Sequence, residues 1–471
     1  MSRIVRKVLL ALAVSPAIIA AGQLATREPG IRVHPSHTPG SRGARLQGVV
    51  ADGRSLFVTK FTVHDGAGRP SATGDSKPTF REPIPLGPLR VAGPDASACS
   101  SCHNDPVVGG SGDFVANVFV GAQFSDPPTR STDVESTSER NTIGLFGSGA
   151  IELLAREMTE DLRGQLNQAV QRARMSKTDV RQALSSKGVR FGSITARPDG
   201  TYDGADIQGV DVDLVVKPFG SKGVVISLRE FSINALNHHH GIQAVERFGP
   251  ERTGLADFDS DGIAQEFTIG QVSALTLFQA GLPAPKVAPQ EFEARRGRYA
   301  SGLAAFKAVG CADCHVPALP LRSRTFVEPN PYNRPGNALP SDIGTVALEL
   351  EVGTLPTGLY RATDGSTWVA AFSDLRRHVI ADDGDPFFGN EVKKQDNVPV
   401  REFLTSKLWD AATSAPYGHR GDCTTVGEAV AHHAGEARAS REAFLALPAA
   451  RQQALVDFVT LLGGGHYGAK P

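Results

Sequence analysis

Apolar positions in this chain recur at helical spacing more often than they alternate. Between Ala150 and Met175, Leu153, Leu154, Met158 and Leu162 form one apolar stripe and charged residues fill the opposite face, which predicts a long amphipathic helix. Shorter helices are predicted near Ser227–His239 and Ile269–Ala280, and from about Gln290 up to Cys311. A last helix is predicted from Pro448 to Leu462, with Leu455, Phe458, Val459 and Leu462 on its buried face and Pro448 in its first turn. One region alternates instead. "VRFGSITARPDGTYDGADIQGVDVDLVV" carries P-D-G and D-G-A-D turns and predicts a β-hairpin inserted in a helical lobe.

The ends and joints divide the chain further. Arg3, Arg6 and Lys7 precede a short apolar run, Val8 to Ala20, and Ala20-Ala21-Gly22 offers small residues for cleavage. Residues 1–22 therefore read as a secretory signal peptide, too short in its apolar part for a comfortable membrane span. Residues 23–53, rich in Gly, Pro, Arg and His, read as an extended arm. "AGLPAPKVAP" marks a boundary between an N-terminal lobe, 54–289, and a C-terminal lobe, 290–471. Export is expected, to the periplasm, with no membrane span after cleavage. The formal charge of −1 over 471 residues supplies no basic field for a nucleic-acid partner.

Four of the five cysteines change this picture. "SACSSCHND" and "GCADCHVP" are two C-x-x-C-H units: Cys99, Cys102 and His103, then Cys311, Cys314 and His315. A redox pair would leave each histidine incidental, and a zinc site would need four converging ligands where each unit offers at most three. Covalent haem c uses every residue: two thiols add to the vinyl groups and the adjacent imidazole ligates the iron. Two haem c groups are expected, and Cys423 is left as a free thiol. The fold class expected is mainly α: two cytochrome c-like helical lobes, with the small hairpin in the first.

Met158 and Met175 both fall in the first lobe, so the second lobe must use His, Tyr or nothing as its other axial ligand, with His378, His419, His432, His433 and His466 as the candidate histidines. In "CTTVGEAVAHHAGEA", Thr425 and Glu428 predict a capping box. A helix from there would place His433 on one face with Val426, Ala429, Val430 and Ala437, and His432 on the face of Glu428 and Glu436. His433 is the expected ligand. Elsewhere, His238, His239 and His240 of "NHHHGIQ" read as a solvated, helix-ending cluster, as a source of a sixth ligand for the first haem, or as a transition-metal site. "DFDSDGIAQEFT" presents Asp257, Asp259, Asp261 and Glu266 around Gly262, a partial calcium-loop pattern with Thr268 where the bidentate acid belongs. Ca²⁺ and a plain Asp/Gly turn are both open readings.

"APYGHRGDCTTVGEAVAHHAGEA", "RNTIGLFGSGAIELL", "KPFGSKGVVISLREF" and "FKAVGCADCHVPAL" resemble the bacterial di-haem cytochrome c peroxidases and di-haem oxidoreductases, with MauG-type enzymes as relatives. In that family a distal ligand falls 14 positions after the motif histidine, which here leads from His419 to His433. The motif Asp is replaced by Arg420, and both tryptophans, Trp368 and Trp409, lie in the second lobe. The resemblance implies peroxide reduction at one haem, with Glu152 moving a proton, Arg140 as the nearby cation and His419 at the haem edge. The other haem, with His315 and His433 as ligands, would relay electrons to or from a small periplasmic cytochrome or copper protein. A non-catalytic electron carrier is the alternative, as is MauG-like oxidation of a protein or organic substrate.

Overall fold

The structure is a computed structural model that describes residues 46–68, 95–119, 137–258, 261–391 and 394–463. The expected signal peptide lies outside the described residues, as do residues 23–45 of the expected arm, Asp259 and His466. Residues 46–53 belong not to an arm but to helix α1, Leu46–Val58.

The expectation of a mainly α fold is corrected. Of the described residues, 38% are helical and 17% are in strands, which form five small sheets of two or three strands each. In the first part of the chain β1 (Gly112–Phe119) pairs antiparallel with β2 (Thr137–Thr142). Helix α2 (Ser148–Ser176) is followed by β3 (Val180–Ser186), β4 (Val189–Ala196) and β5 (Tyr202–Asp203), a three-stranded sheet where a hairpin is expected. Helices α3 (Leu228–Ala235), α4 (Val245–Phe248), α5 (Pro250–Thr253), α6 (Ile269–Gly281) and α7 (Pro289–Ala308) come next. The pattern missed β1, β2 and β3, and beyond them β6 (Leu319–Leu321), β7 (Thr325–Glu328), β8 (Val346–Glu349), β9 (Gly358–Arg361), β10 (Thr367–Ala370), β11 (Arg377–Val379) and β12 (Glu402–Leu404). Strands β6 to β12 have only three or four residues each, too few for alternation to stand out. Short helix α8 (Pro340–Ile343) lies among them, and α9 (Val426–Ala431), α10 (Arg438–Leu445) and α11 (Ala449–Leu461) close the chain.

Two helix crossings repeat one device. Helix α1 packs on α6, and α7 packs on α11. At the first crossing Gly53 approaches so closely that a Cβ would lie 2.0 Å from Ala274 O. At the second, a Cβ on Gly302 would lie 2.1 Å from Phe458 Cβ and 2.7 Å from Ala454 O. Each glycine removes the side chain that would hold two backbones apart, and each crossing stands beside one C-x-x-C-H unit. The largest core cluster runs from Val49 to Trp409 and so includes residues on both sides of position 290. A second core gathers Phe306, Phe372, Phe458 and Leu462 around the α7–α11 crossing.

Gly53→Ala and Gly302→Ala should each destabilise the protein by roughly 1–3 kcal/mol through overpacking. The urea midpoint reads this out, and a neutral result would mean that the helices can slide apart without cost.

Candidate functional site

The chain from Cys99 to Ser101 forms one 3₁₀ turn, and so does Cys311 to Asp313. A tight turn brings the two thiols of each unit onto one side and lets the histidine follow. All four thiols are free and half-buried. Burial pushes Cys99 up to about 12 and Cys311 up to about 11, so both are neutral thiols.

Each unit opens on its own cavity. The first, about 140 Å³, is lined by Cys99, Cys102 and His103 together with Arg140 and His238, His239 and His240. The second, about 400 Å³, is lined by Cys311, Cys314, His315, His433 and His419. The second falls in the range of cavities that take a whole small molecule; the first is narrower. Asn141, Ile143, Leu145, Gly220, Ser221 and Phe231 face both, so the two cavities share one wall.

The imidazoles are set in a common way. His103 Nδ1 is 3.3 Å from Gly110 O, His315 Nδ1 2.9 Å from Phe372 O, and His433 Nδ1 2.7 Å from Ala429 O. In each, Nδ1–H donates to a carbonyl; this leaves Nε2 of His315 and His433 with a lone pair, while His103 also meets the Ile143 backbone. Burial lowers His103 and His315 to about 4 and lowers His433 too, so the rings stay neutral, which is the ligating form. These residues fit a haem c in the second cavity: two thiols, a proximal imidazole, and a second imidazole in the same apolar chamber.

His433 reaches the cavity by a route different from the one expected. Helix α9 ends at Ala431, with His432 as its C-cap, so no continuous face runs on to Ala437. The capping box is incomplete. Thr425 accepts from Glu428 N at 3.1 Å, but the Glu428 carboxylate accepts from Thr424 N at 2.7 Å instead of from Thr425 N. His433 then packs against Phe388, ring centroids 5.4 Å apart. His432 is not simply turned to water: its Nδ1 is 3.0 Å from Asp385 and its ring lies 3.7 Å from that of Phe387.

The trio of histidines is not a solvated cluster. Helix α3 runs into a π-turn, Leu236–His240, that stops at Gly241 with φ 74°. His238 and His240 are each 3% exposed and line the first cavity. π-turns favour functional sites. His240 Nδ1 is 2.7 Å from Ala96 O and its Nε2 3.7 Å from Cys99 Sγ. His239 pairs with Asp95 at 2.9 Å.

Glu152 is placed away from both cavities. Its carboxylate is wholly buried and accepts from Leu228 N at 2.8 Å, from Asn330 Nδ2 at 2.9 Å and from Arg156 Nε at 3.1 Å. Those bonds tie α2 to α3 and to the segment after β7, and Glu152 is a structural carboxylate here. Arg140 and His419 do come together, through a residue that sequence reasoning missed. Glu391 accepts from Arg140 at 2.8 and 3.1 Å, and its Oε1 is 3.1 Å from His419 Nε2. Nothing in "FFGNEV" distinguishes Glu391 locally; its partners are distant in sequence.

His378 is a further residue at the second cavity. Its Nε2 is 2.8 Å from Asp374 and its Nδ1 2.9 Å from Glu436, with Cys314 Sγ 3.9 Å away. Burial opposes its charge, but these partners outweigh burial and push it up to about 11.

In the stretch read as a calcium loop, Asp257 accepts from Gly262 N at 2.9 Å and Asp261 from Ile263 N at 2.7 Å, while Glu266 accepts from Gln243 N at 2.8 Å. These are turn and bridging bonds. Among the described residues no three His, Cys, Asp or Glu side chains gather to hold a metal ion.

No family model and no curated protein matches the chain. Among solved structures, similarity extends to Kuenenia stuttgartiensis hydrazine synthase, with 13% identity over 98% of this chain and 99% of that one and a TM-score of 0.35. It extends also to a MauG-like protein associated with microbial copper homeostasis, with 13% identity, 69% and 91% coverage and a TM-score of 0.30. At these values neither likeness carries an argument, and the reading rests on the residues. No helix among the described residues is long and apolar enough to cross a membrane.

Two predictions follow from these placements. Glu152→Ala should cost about 3–5 kcal/mol by leaving the buried Arg156 without its carboxylate, measured by urea denaturation; a change under ~1 kcal/mol would contradict the network. His378 is held above its ordinary 6.5, so its stabilisation is complete below that pH and declines as pH rises toward about 11. Wild-type stability should therefore fall between pH 6.5 and 9, and His378→Gln should flatten that dependence.

Proposed function

We propose that the chain is an exported oxidoreductase carrying two covalently attached haem c groups, one in each cavity. The observation that carries this reading is the twofold occurrence of one arrangement. A C-x-x-C-H turn presents two free thiols to a cavity, and its histidine fixes Nδ1 on a backbone carbonyl. Cys99 and Cys102 would hold the first haem and His103 would ligate it; Cys311, Cys314, His315 and His433 would serve the second. When bound, haem supplies a one-electron couple and, where an axial position is open, a site for a small oxidant. The chain's own part is to keep the imidazoles neutral and in one tautomer, and to exclude water with an apolar wall.

In this reading the first haem reacts with peroxide and the second exchanges electrons with a small periplasmic cytochrome or copper protein. Proton movement does not fall to Glu152. The described lining of the first cavity contains no carboxylate, and its titratable nitrogens belong to His103 and to His238–His240. That same crowding by histidines favours a second reading, a six-coordinate electron carrier, in which another imidazole closes the first iron.

Denaturing gels stained for haem should keep the colour with the polypeptide, and Cys99→Ala with Cys102→Ala should remove about half of it. His433→Gly should turn one low-spin haem high-spin, while His432→Gly should not. A half-reduced protein that consumes peroxide and binds CO is the enzyme; one inert to both is the carrier. Zinc without iron in the purified protein would sink both readings.

A further inference from the structure

A buried ionic cluster stands on the wall between the cavities, and the reading above gives it no work. Arg140, within β2, opens on the first cavity, and His419 opens on the second. Glu391 joins them: Arg140 Nη1 and Nη2 reach its carboxylate at 2.8 and 3.1 Å, and His419 Nε2 lies 3.1 Å from Oε1. Arg420 Nε approaches the same oxygen at 3.5 Å. The Glu391 and His419 side chains are 1% and 3% exposed.

His419 Nε2 lies 3.1 Å from the Glu391 carboxylate, so the neutral ring turns its one N–H toward Glu391 in a poorly aligned hydrogen bond and keeps its lone pair on Nδ1. A proton added to the ring would convert it into a charge-assisted pair. Burial holds the imidazole below its usual range, helped by Arg140 and Arg420 and opposed by Glu391. His419 is thus neutral, buried, and beside an ionised acid: a group that gains a proton when its surroundings become more negative.

The second haem's ligand is one ring away. Phe388 lies 6.3 Å from the His419 ring and 5.4 Å from the His433 ring, centroid to centroid. His419 also packs on Phe403 at 4.7 Å. Lys222 is the other titratable group facing this corner. It is fully buried, its Nζ sits 3.8 Å over the Phe403 ring, and it donates to Pro399 O and Val400 O at 2.7 and 2.9 Å.

We propose that Arg140, Glu391 and His419 form a redox-linked proton site: as one electron from a cytochrome or copper-protein donor reduces the second haem, His419 takes up one proton from solvent. Ferric iron becomes ferrous, neutral imidazole becomes imidazolium, and reoxidation returns the proton. The added negative charge at the haem and the added positive charge at His419 cancel within the low-dielectric wall. Arg140 and Arg420 hold the Glu391 carboxylate in place and ionised. This inference rests on the di-haem reading.

The test is a spectroelectrochemical titration of the purified holoprotein between pH 5 and 9. The second-haem potential should fall as pH rises, approaching a tenfold change in equilibrium per pH unit, which is about 59 mV for one electron. His419→Gln should make it flat while haem stain and circular dichroism stay unchanged. Glu391→Gln should move the sloping window to lower pH, because removing the negative charge disfavours imidazolium. Redox-difference infrared spectra of histidine-labelled protein should show imidazolium forming on reduction, absent in His419→Gln. A flat wild-type potential, a slope that survives His419→Gln, or a proton signal from the Lys222 amine would overturn the proposal. A chain without covalent haem fails at the gel, and then it is the di-haem reading that has fallen.

Discussion

Burial together with a backbone-carbonyl partner keeps three imidazoles of this structure neutral and in one tautomer, and the two cavities are arranged around that constraint. Burial supplies neutrality: His103 and His315 are both driven down to about 4. A backbone carbonyl supplies the tautomer, since it accepts Nδ1–H without drawing a second proton onto the ring. His103, His315 and His433 all use carbonyls. His239, His378, His419 and His432 face carboxylates instead, and His378 shows the consequence, rising to about 11. A carboxylate partner does not by itself set the charge, since His378 is raised while burial holds His419 below its usual range. The constraint reaches into the backbone as well. Phe372, whose carbonyl anchors His315, holds φ at 56°, a conformation that a bulky residue adopts at a cost of the order of 1–3 kcal/mol.

The frame that places these carbonyls is a pair of close helix crossings, α1 on α6 and α7 on α11. Gly53 and Gly302 bring the helix backbones together. Phe57 of α1 packs 6.2 Å from the His103 ring, and Phe306 of α7 packs 6.3 Å from the His315 ring. The same relation thus occurs twice: a helix with a glycine at its crossing and an aromatic ring against the histidine. Around that repeat the small sheets differ entirely. Such an arrangement lets loops and sheets vary while the histidine and its supporting ring stay fixed.

Contiguity decided what could be read from the sequence. The two C-x-x-C-H units are complete within five residues each, and α2, α6, α7 and α11 carry enough periodic positions to be found within a few residues of their ends. Three-residue strands such as Leu319–Leu321 carry no such signal and form only because a distant partner pairs with them. His433 was reached from a helix face that stops two residues short of it. What places it is a loop after α9 and the ring of Phe388, neither visible in a local pattern. Glu391 could not be found at all, because its meaning comes from Arg140, 251 positions away, and from His419.

Glu152 and Glu391 show why burial of a carboxylate does not by itself mark a working group. Both are almost fully enclosed, and both have an arginine beside them. Glu152 meets a backbone N–H, an amide and a guanidinium, and these together satisfy it. Neutralising it would take away the carboxylate partner of Arg156 and weaken the ties to α3 and to the segment after β7, so its state is fixed by the cost of altering it. Glu391 is held on one side by Arg140, and on the other it faces the imidazole of His419 at 3.1 Å. A proton added to that ring would break no existing contact and would strengthen this one into a charge-assisted pair. A saturated network resists change and serves the fold. An unsaturated one, placed against the shared wall of two cavities, can change state and still leave the fold intact.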